Sequence, residues 1–218
     1  MTWGECKLLT LQTMYSNDGM ELNVDDSNQD YVYAMPGKAN EALQQLALVG
    51  RPLLKRFTIT VALGVEEESN ADSLTLPAMD AGRYHLSLGT VIPRFRCMDQ
   101  LMLESAGVYD RAEDWSMEGD DVLVLPGSTA GVYTLWYAAY PQTIKATTED
   151  SEELDCPPEA AVLIPLYIAA ELYKEDELAM ATMFRNEFED GLEKLRQAYR
   201  DSGRIYRGGI VRNTTGWW

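Results

Sequence analysis

Histidine is almost absent from this 218-residue chain: His85 alone accompanies 35 carboxylates and 18 lysines and arginines. General acid–base catalysis needs a titratable group with a positioned partner. His85 sits between Tyr84 and Leu86 in a strand-like run with no such partner evident in the sequence, so it reads as a structural or surface side chain. GxSxG, GxGxxG, phosphate-loop and HExxH patterns are missing as well. Cysteine is scarce, and Cys6, Cys97 and Cys156 lie far apart without a CxxC pair. They read as small buried hydrophobes in a reducing compartment, not as a disulfide frame or metal site. Long apolar runs are lacking too. The longest, residues 160–170, contains Pro165 and is too short to span a membrane. The N-terminus lacks the basic and then apolar segments of a secretion signal.

Basic side chains are the other shortage. A formal net charge of −17 leaves no Lys/Arg cluster for phosphate contacts, which argues against a nucleic-acid-binding surface. Two readings of the acidity are open: solubility, or a negative inner wall in an assembly. Carboxylates gather at 66–68, at Asp110, Glu113 and Asp114, and at Asp120 and Asp121. None has the register of a calcium loop, and an acid-rich chain generates such clusters, including pairs suited to glycoside cleavage, without purpose. No catalytic residue, metal ligand or cofactor is expected, and the chain is not read as an enzyme.

What is present is helical periodicity at both ends and strand periodicity between them. Residues 5–15 read as a first helix with Cys6, Leu9 and Leu8 inward. A second begins near Ser27 with Asp30 as a capping box, breaks at Pro36 and Gly37, and resumes over 38–49 with Ala39, Ala42, Leu43 and Leu46 on one face. From Arg56 the period falls to two through Phe57, Ile59 and Val61. Short strand-like runs follow at 84–88, 91–97, 101–104, 122–125 and 132–140, and the Pro126, Gly127, Ser128 turn suggests a hairpin between the last two. On the final run, alternation puts Tyr133 and Tyr137 on one face and Trp136 and Tyr140 on the other. Core and subunit contact is one reading of these aromatics, and a sugar-binding face with Trp115 is the other. Residues 147–155 read as a solvated acidic linker.

Residues 155–199 carry the clearest pattern. Asp155 precedes Pro157 and Pro158 as an N-cap, and a densely apolar helix follows with Leu163, Leu166 and Tyr167. After a short acidic turn, Leu178, Ala181, Phe184, Phe188, Leu192, Leu195 and Tyr199 recur every three or four residues. The last residues, 201–218, carry Arg204, Arg207 and Arg212 with no acid after Asp201, and their glycines argue against a stable helix. They read either as a frayed terminus or as a segment that lies along a partner, for instance by strand addition.

The string PPEAAVLIPLYIAAELYKEDELAMATMFRNEFEDGLEKL, a helix, an acidic turn and an RNEFE helix, resembles the C-terminal hairpin of head–tail adaptor (connector) proteins of tailed bacteriophages. AAYPQTIKATTEDSEELD resembles their final strand and acidic linker, and KANEALQQLALVG their second helix. The resemblance implies a structural virion protein at the neck, assembled in the host bacterial cytoplasm. About twelve copies would form a homo-oligomeric ring below the portal, a closed cyclic arrangement. Its partners would be the portal protein and a downstream neck or tail-completion protein, with no membrane involved. Such a ring would carry on the order of 200 excess negative charges, so that DNA passes the lumen without specific binding.

The fold expected is α+β: a helical platform from both ends of the chain with an inserted antiparallel β domain and an extended C-terminal tail. The divisions are 1–55, 56–146, 147–200 and 201–218. The ring reading assigns Leu43, Leu46, Leu163, Leu166, Tyr167, Leu178, Phe184, Phe188, Leu192 and Leu195 to the helical core and subunit interface. It assigns portal contact to Arg204, Ile205, Tyr206, Arg207, Ile210, Val211, Arg212, Trp217 and Trp218. The alternative is a soluble carbohydrate- or protein-binding module acting through the β domain at Trp115 or Trp136.

Overall fold

The computed structural model describes residues 1–15, 19–49, 52–105 and 108–205. The chain is α+β and divides into two compact units, Met1–Arg51 with Gln142–Trp218, and Pro52–Pro141.

The first unit is helical. Helix α1, Trp3–Thr13, starts earlier than the apolar spacing suggests because Thr2 and Glu5 form a capping box. The Glu5 amide donates to Thr2 Oγ1 at 3.2 Å and the Thr2 amide to Glu5 Oε2 at 2.8 Å. Its buried residues are Trp3, Cys6, Thr10 and Leu11, so Leu9 faces out, contrary to expectation. Helix α2, Gln29–Val49, runs unbroken through Pro36. The expected break is absent because Met35, Ala39, Ala42, Leu43 and Leu46 form one buried stripe across the proline, and tertiary burial outweighs one missing helix hydrogen bond. The turn before it is held by Asp25 and Asn28, not by the Ser27–Asp30 box: Ser27 donates its amide to Asp25 Oδ1 at 2.8 Å, and the Asp25 amide donates to Asn28 Oδ1 at 3.1 Å.

The apolar helix near residue 160 is two pieces, α4 at Pro158–Ala161 and α5 at Ile164–Leu172. Pro165 has no amide hydrogen and its ring collides with the carbonyl four residues back, so the helix restarts with the proline in its first turn. Asp155 is not the cap; Pro157 holds that position, and Asp155 Oδ2 accepts from the Gln142 amide at 3.2 Å. Helix α6, Leu178–Ile205, carries the long stripe and continues past Asp201 and through Gly203. One helical glycine costs about 1 kcal/mol, which a propagating 28-residue helix tolerates. The extended tail therefore does not begin at 201.

The acidic stretch 147–155 is solvated along most of its side chains, as expected, but its backbone is tied to α1. Glu152 and Asp150 carbonyls accept the Trp3 and Gly4 amides at 2.8 and 2.9 Å, and the Leu154 amide donates to Met1 at 3.0 Å. These carbonyls satisfy amides that a helix N-terminus leaves without partners. A Cβ on Gly4 would stand 2.9 Å from Asp150 Cβ and 3.0 Å from its carbonyl oxygen, so the approach requires glycine there. Asn40 of α2 pins the segment just before it, donating to the Ile144 carbonyl and accepting its amide, both at 2.8 Å.

The second unit holds two sheets. The six-stranded sheet has the order β2-β3-β1-β9-β5-β6, made of Glu68–Ser69, Ser73–Pro77, Leu53–Ala62, Gly131–Ala139, Phe95–Ser105 and Val108–Arg111. Its pairings are antiparallel except β1 with β3, which run parallel from Thr58↔Ser73 to Ala62↔Pro77. The smaller sheet is β4-β8-β7, from Arg83–Ser87, Val122–Pro126 and Ser116–Glu118. The expected hairpin across Pro126–Gly127 does not form. Strand β8 is central, with Leu123, Val124 and Leu125 all buried and both edges occupied, so β9 leaves for the other sheet. The expected strand at 91–97 is borne out only from Phe95: a single turn, α3 at Leu88–Val91, precedes β5, which joins that half to the run at 101–104. Phe57, Ile59 and Val61 of β1 and Tyr133, Leu135 and Tyr137 of β9 share the buried side, as alternation requires.

Phe188 of α6 is fully buried, edge-on to Tyr167 of α5 with ring centroids 5.0 Å apart. Truncation of such a ring costs about 3–5 kcal/mol. Phe188→Ala is expected to reduce the unfolding free energy of the helical unit by that amount, measured by urea denaturation with far-UV detection.

Candidate functional surfaces

Three helices meet around one carboxylate. Glu171, near the end of α5, has a side chain only 6% exposed and faces Lys174 at 2.6 Å, Arg185 of α6 at 3.3 Å and Lys38 of α2 at 3.8 Å. Tyr167, one turn earlier, donates to Glu41 Oε2 and accepts from Gln45 Nε2, each at 3.1 Å. Arg185 lies 5.1 Å over the Tyr167 ring, near cation–π distance, and reaches Glu189 at 2.8 Å. Cations and carboxylates balance in this cluster, so the buried charge is compensated on every side. Burial alone would raise Glu41, but hydrogen bonds from Lys38 and Tyr167 outweigh it and hold the carboxyl below its ordinary 4.5.

The helical residues singled out from sequence divide into two sets. Leu43, Leu46, Leu163, Tyr167, Phe184 and Phe188 are buried in the helical unit, and Leu166, Leu192 and Leu195 pack partly against the same core. Leu178 is 71% exposed and belongs to the surface. Of the residues given to the tail, Arg204 and Ile205 fall on the last turn of α6. Tyr206, Arg207, Ile210, Val211, Arg212, Trp217 and Trp218 lie outside the described residues.

In the β unit, Tyr133 and Tyr137 are buried, whereas Trp136 and Tyr140 are exposed. Trp115 packs partly against the core cluster to which Tyr133 and Leu135 belong. Alternation turns Trp136 to the opposite face, so the two tryptophans do not form one stacking platform.

His85 does have a carboxylate neighbour, which the sequence did not reveal: its Nδ1 is 3.2 Å from Glu118 Oε2, brought there by β4 and β7 flanking β8. Both side chains are more than half exposed, and the pair aligns no nucleophile. The cysteines were read as uniformly buried; Cys97 is in fact exposed. Burial pushes the Cys6 thiol up to about 12 and the Cys156 thiol to about 11, which leaves neither a thiolate near neutral pH. Among the described residues no group of His, Cys, Asp and Glu could hold a metal ion, and no helix is long and apolar enough to cross a membrane.

One grouping escaped sequence reasoning because its members come from three segments. Tyr173 at the end of α5 donates to the Met14 carbonyl at 2.6 Å, beside Tyr15, and Tyr31 of α2 donates to Asp176 Oδ2 at 3.4 Å. The result is a tyrosine corner at the acidic α5–α6 turn.

The model of the SU10 adaptor protein family matches residues 1–212. No curated protein matches the chain.

Removing the central carboxylate takes a shared partner from three cations that stay partly in solvent, while Lys38 keeps Glu41 and Arg185 keeps Glu189. Glu171→Ala is expected to destabilise the helical unit by about 1–2 kcal/mol in urea titrations. The pH dependence has a defined sign. A carboxyl lowered in the folded state contributes stability above its unfolded value, near 4.5 for Glu41, and loses it as pH falls through the folded value. Glu41→Gln should therefore flatten the acid limb of a stability–pH profile below that point and leave the neutral plateau lower.

Proposed function

The chain belongs to the SU10 adaptor protein family, and on that premise we propose that about twelve copies close a cyclic ring directly below the portal. As a member of a phage adaptor family it is a structural component of the virion, associated with portal and tail proteins. In the proposed ring the platform segments, 1–55 and 147–200, form the body and lateral contacts. The inserted segment 56–146 faces outward or tailward, and 201–218 reaches the portal. The lumen extends the DNA channel, and a downstream neck protein docks on the far side. Assembly takes place in the host cytoplasm.

The observation that carries this reading is the match along 1–212 on a helical unit drawn from both chain ends. A rigid body with its buried charges balanced suits a part that bears load between head and tail, since closed interfaces multiply each contact by symmetry. Leu178 and Met183, exposed on the first turns of α6, are suited to lateral contact. The separation of Trp115 from Trp136 speaks against a ligand face in the β unit.

The test mixes the protein with its portal ring and images the product by negative stain, with the protein alone as control. Rings of defined size on the portal are expected, and deletion of residues 201–218 should weaken portal association by about a hundredfold, near 3 kcal/mol. Absence of any association would overturn the reading, and unchanged association of the shortened chain would remove the tail from it.

A further inference from the structure

We propose that the tyrosine corner at the α5–α6 turn seats the C-terminal segment, residues 206–218, of a second copy of this chain. The corner is built from parts distant in sequence. Tyr15 follows α1 with a left-handed backbone, φ 56°, and its side chain is 80% exposed. A non-glycine residue is uncommon in that conformation. Tyr173 stacks on Phe184 at 6.2 Å between centroids while its hydroxyl reaches Met14, so the ring is fixed in place. Tyr31 is fixed through Asp176. Exposed Leu178 adjoins the turn in sequence, and Tyr33 is exposed one turn from the start of α2. Glu175, Asp176 and Glu177 are all exposed on the turn itself, and the one cation there, Lys174, is directed to Glu171. A fixed Tyr173 and the accessible ring of Tyr15, beside three exposed carboxylates, suit a segment that brings arginine and apolar anchors together.

The chain supplies such a segment. Residues 206–218 carry Arg207 and Arg212, no acid, and Tyr206, Ile210, Val211, Trp217 and Trp218, on a molecule of net charge −17. Geometry decides which copy donates it. Helix α6 begins at the corner and runs 28 residues away from it, about 40 Å at 1.5 Å per residue. Residues 206–218 span at most about 45 Å fully extended. In its own copy the segment would spend its whole length returning along α6, leaving nothing to bind with. A neighbouring copy imposes no such return. The inference rests on the ring reading for the presence of that neighbour and refines its tail assignment: residues 206–218 lie on the adjacent copy and strengthen portal association by tying neighbours together in the ring.

The test uses the full-length chain at sub-micromolar concentration, where copies are separate and each corner is accessible, and a fluorescein-labelled peptide of residues 201–218. Fluorescence anisotropy should show saturable binding that weakens as salt rises. Glu175→Lys with Glu177→Lys, which spares the Tyr31–Asp176 hydrogen bond, should reduce affinity about tenfold or more, about 1.4 kcal/mol. A peptide with its three arginines changed to glutamate should lose as much, and Tyr15→Ser, at an exposed position, should weaken binding in an otherwise unaltered fold. No binding, or equal binding by the charge-reversed chain, overturns the proposal. Co-sedimentation with the portal reads the ring separately: a chain that binds the portal but not the peptide sinks the corner and leaves the ring reading standing.

Discussion

Helix α5 is buried on nearly every side, and the rest of the helical unit follows from having to cover it. Ile164, Pro165, Tyr167, Ile168, Ala169 and Ala170 are all buried. A helix without a polar face must be enclosed by neighbours. The local chain provides only α6, so α1 and α2 come from the other end of the sequence. Everything between residues 51 and 142 must then leave that unit and return to it, which is why the β unit is an insertion and not a C-terminal addition. Its entry and exit strands, β1 and β9, are paired antiparallel over their whole lengths, from Leu53↔Ala139 to Val61↔Gly131, which brings the two crossing points of the chain side by side.

Enclosing α5 creates an electrostatic demand. Glu171 sits where three helices converge, and a carboxylate taken from water is tolerated only when charges and hydrogen bonds replace the lost hydration. Lys38, Lys174 and Arg185 do so, one from each of the elements that meet there, and the tyrosine at one turn's distance ties Glu41 and Gln45 into the same network. The arrangement fixes the rotation of α2 and α6 about α5 more narrowly than leucine packing would, because hydrogen bonds have direction. A surplus of acids elsewhere is handled differently. Residues 150–154 use backbone carbonyls to cap α1, while Asp150 pairs with Lys7. An acidic stretch near a helix N-terminus is also favoured by the helix dipole.

Much of this was legible from residue spacing. The α+β class, the stripe of α6, the buried face of α2 and the in–out alternation of β9 follow from periods of 3.6 and 2. Most of the failures share a cause: local signals were outweighed by neighbours that sequence cannot supply. Pro36 reads as a break, yet the buried stripe carries α2 through it, while Pro165, in a run that looks continuous, divides α4 from α5. The difference is position, since Pro165 could fall in a first turn and Pro36 could not. Ser73–Pro77 alternates polar and apolar residues with Leu74 and Leu76 buried, so the strand was legible; its parallel partnership with β1, across the ten residues that hold β2, was not. Thr2 and Glu5 were a readable capping box that was overlooked. The tyrosine corner was beyond reading, because Tyr15, Tyr31 and Tyr173 meet only once three helices have packed.

The placement of the corner bears on how copies can assemble. It lies at the start of α6 and the basic segment at its end, so a contact between them joins unlike surfaces of successive copies. Such heterologous contacts have two outcomes, closure into a ring or growth into an open filament, and the rotation between neighbours selects one. A segment contact alone sets that rotation loosely, because a peptide can follow its seat through a range of angles. Closure then requires a second, stiffer contact, and the exposed first turns of α6, with Leu178 and Met183 beside the corner, place apolar surface where one would act. Acidic bodies repel one another at low salt, and a basic segment reaching across each boundary offsets that repulsion locally. In the proposed ring the portal would serve as a template of rotation, holding copies at the angle at which segment and helix contacts are made together, and the mutual repulsion of chains of net charge −17 would oppose closure away from it.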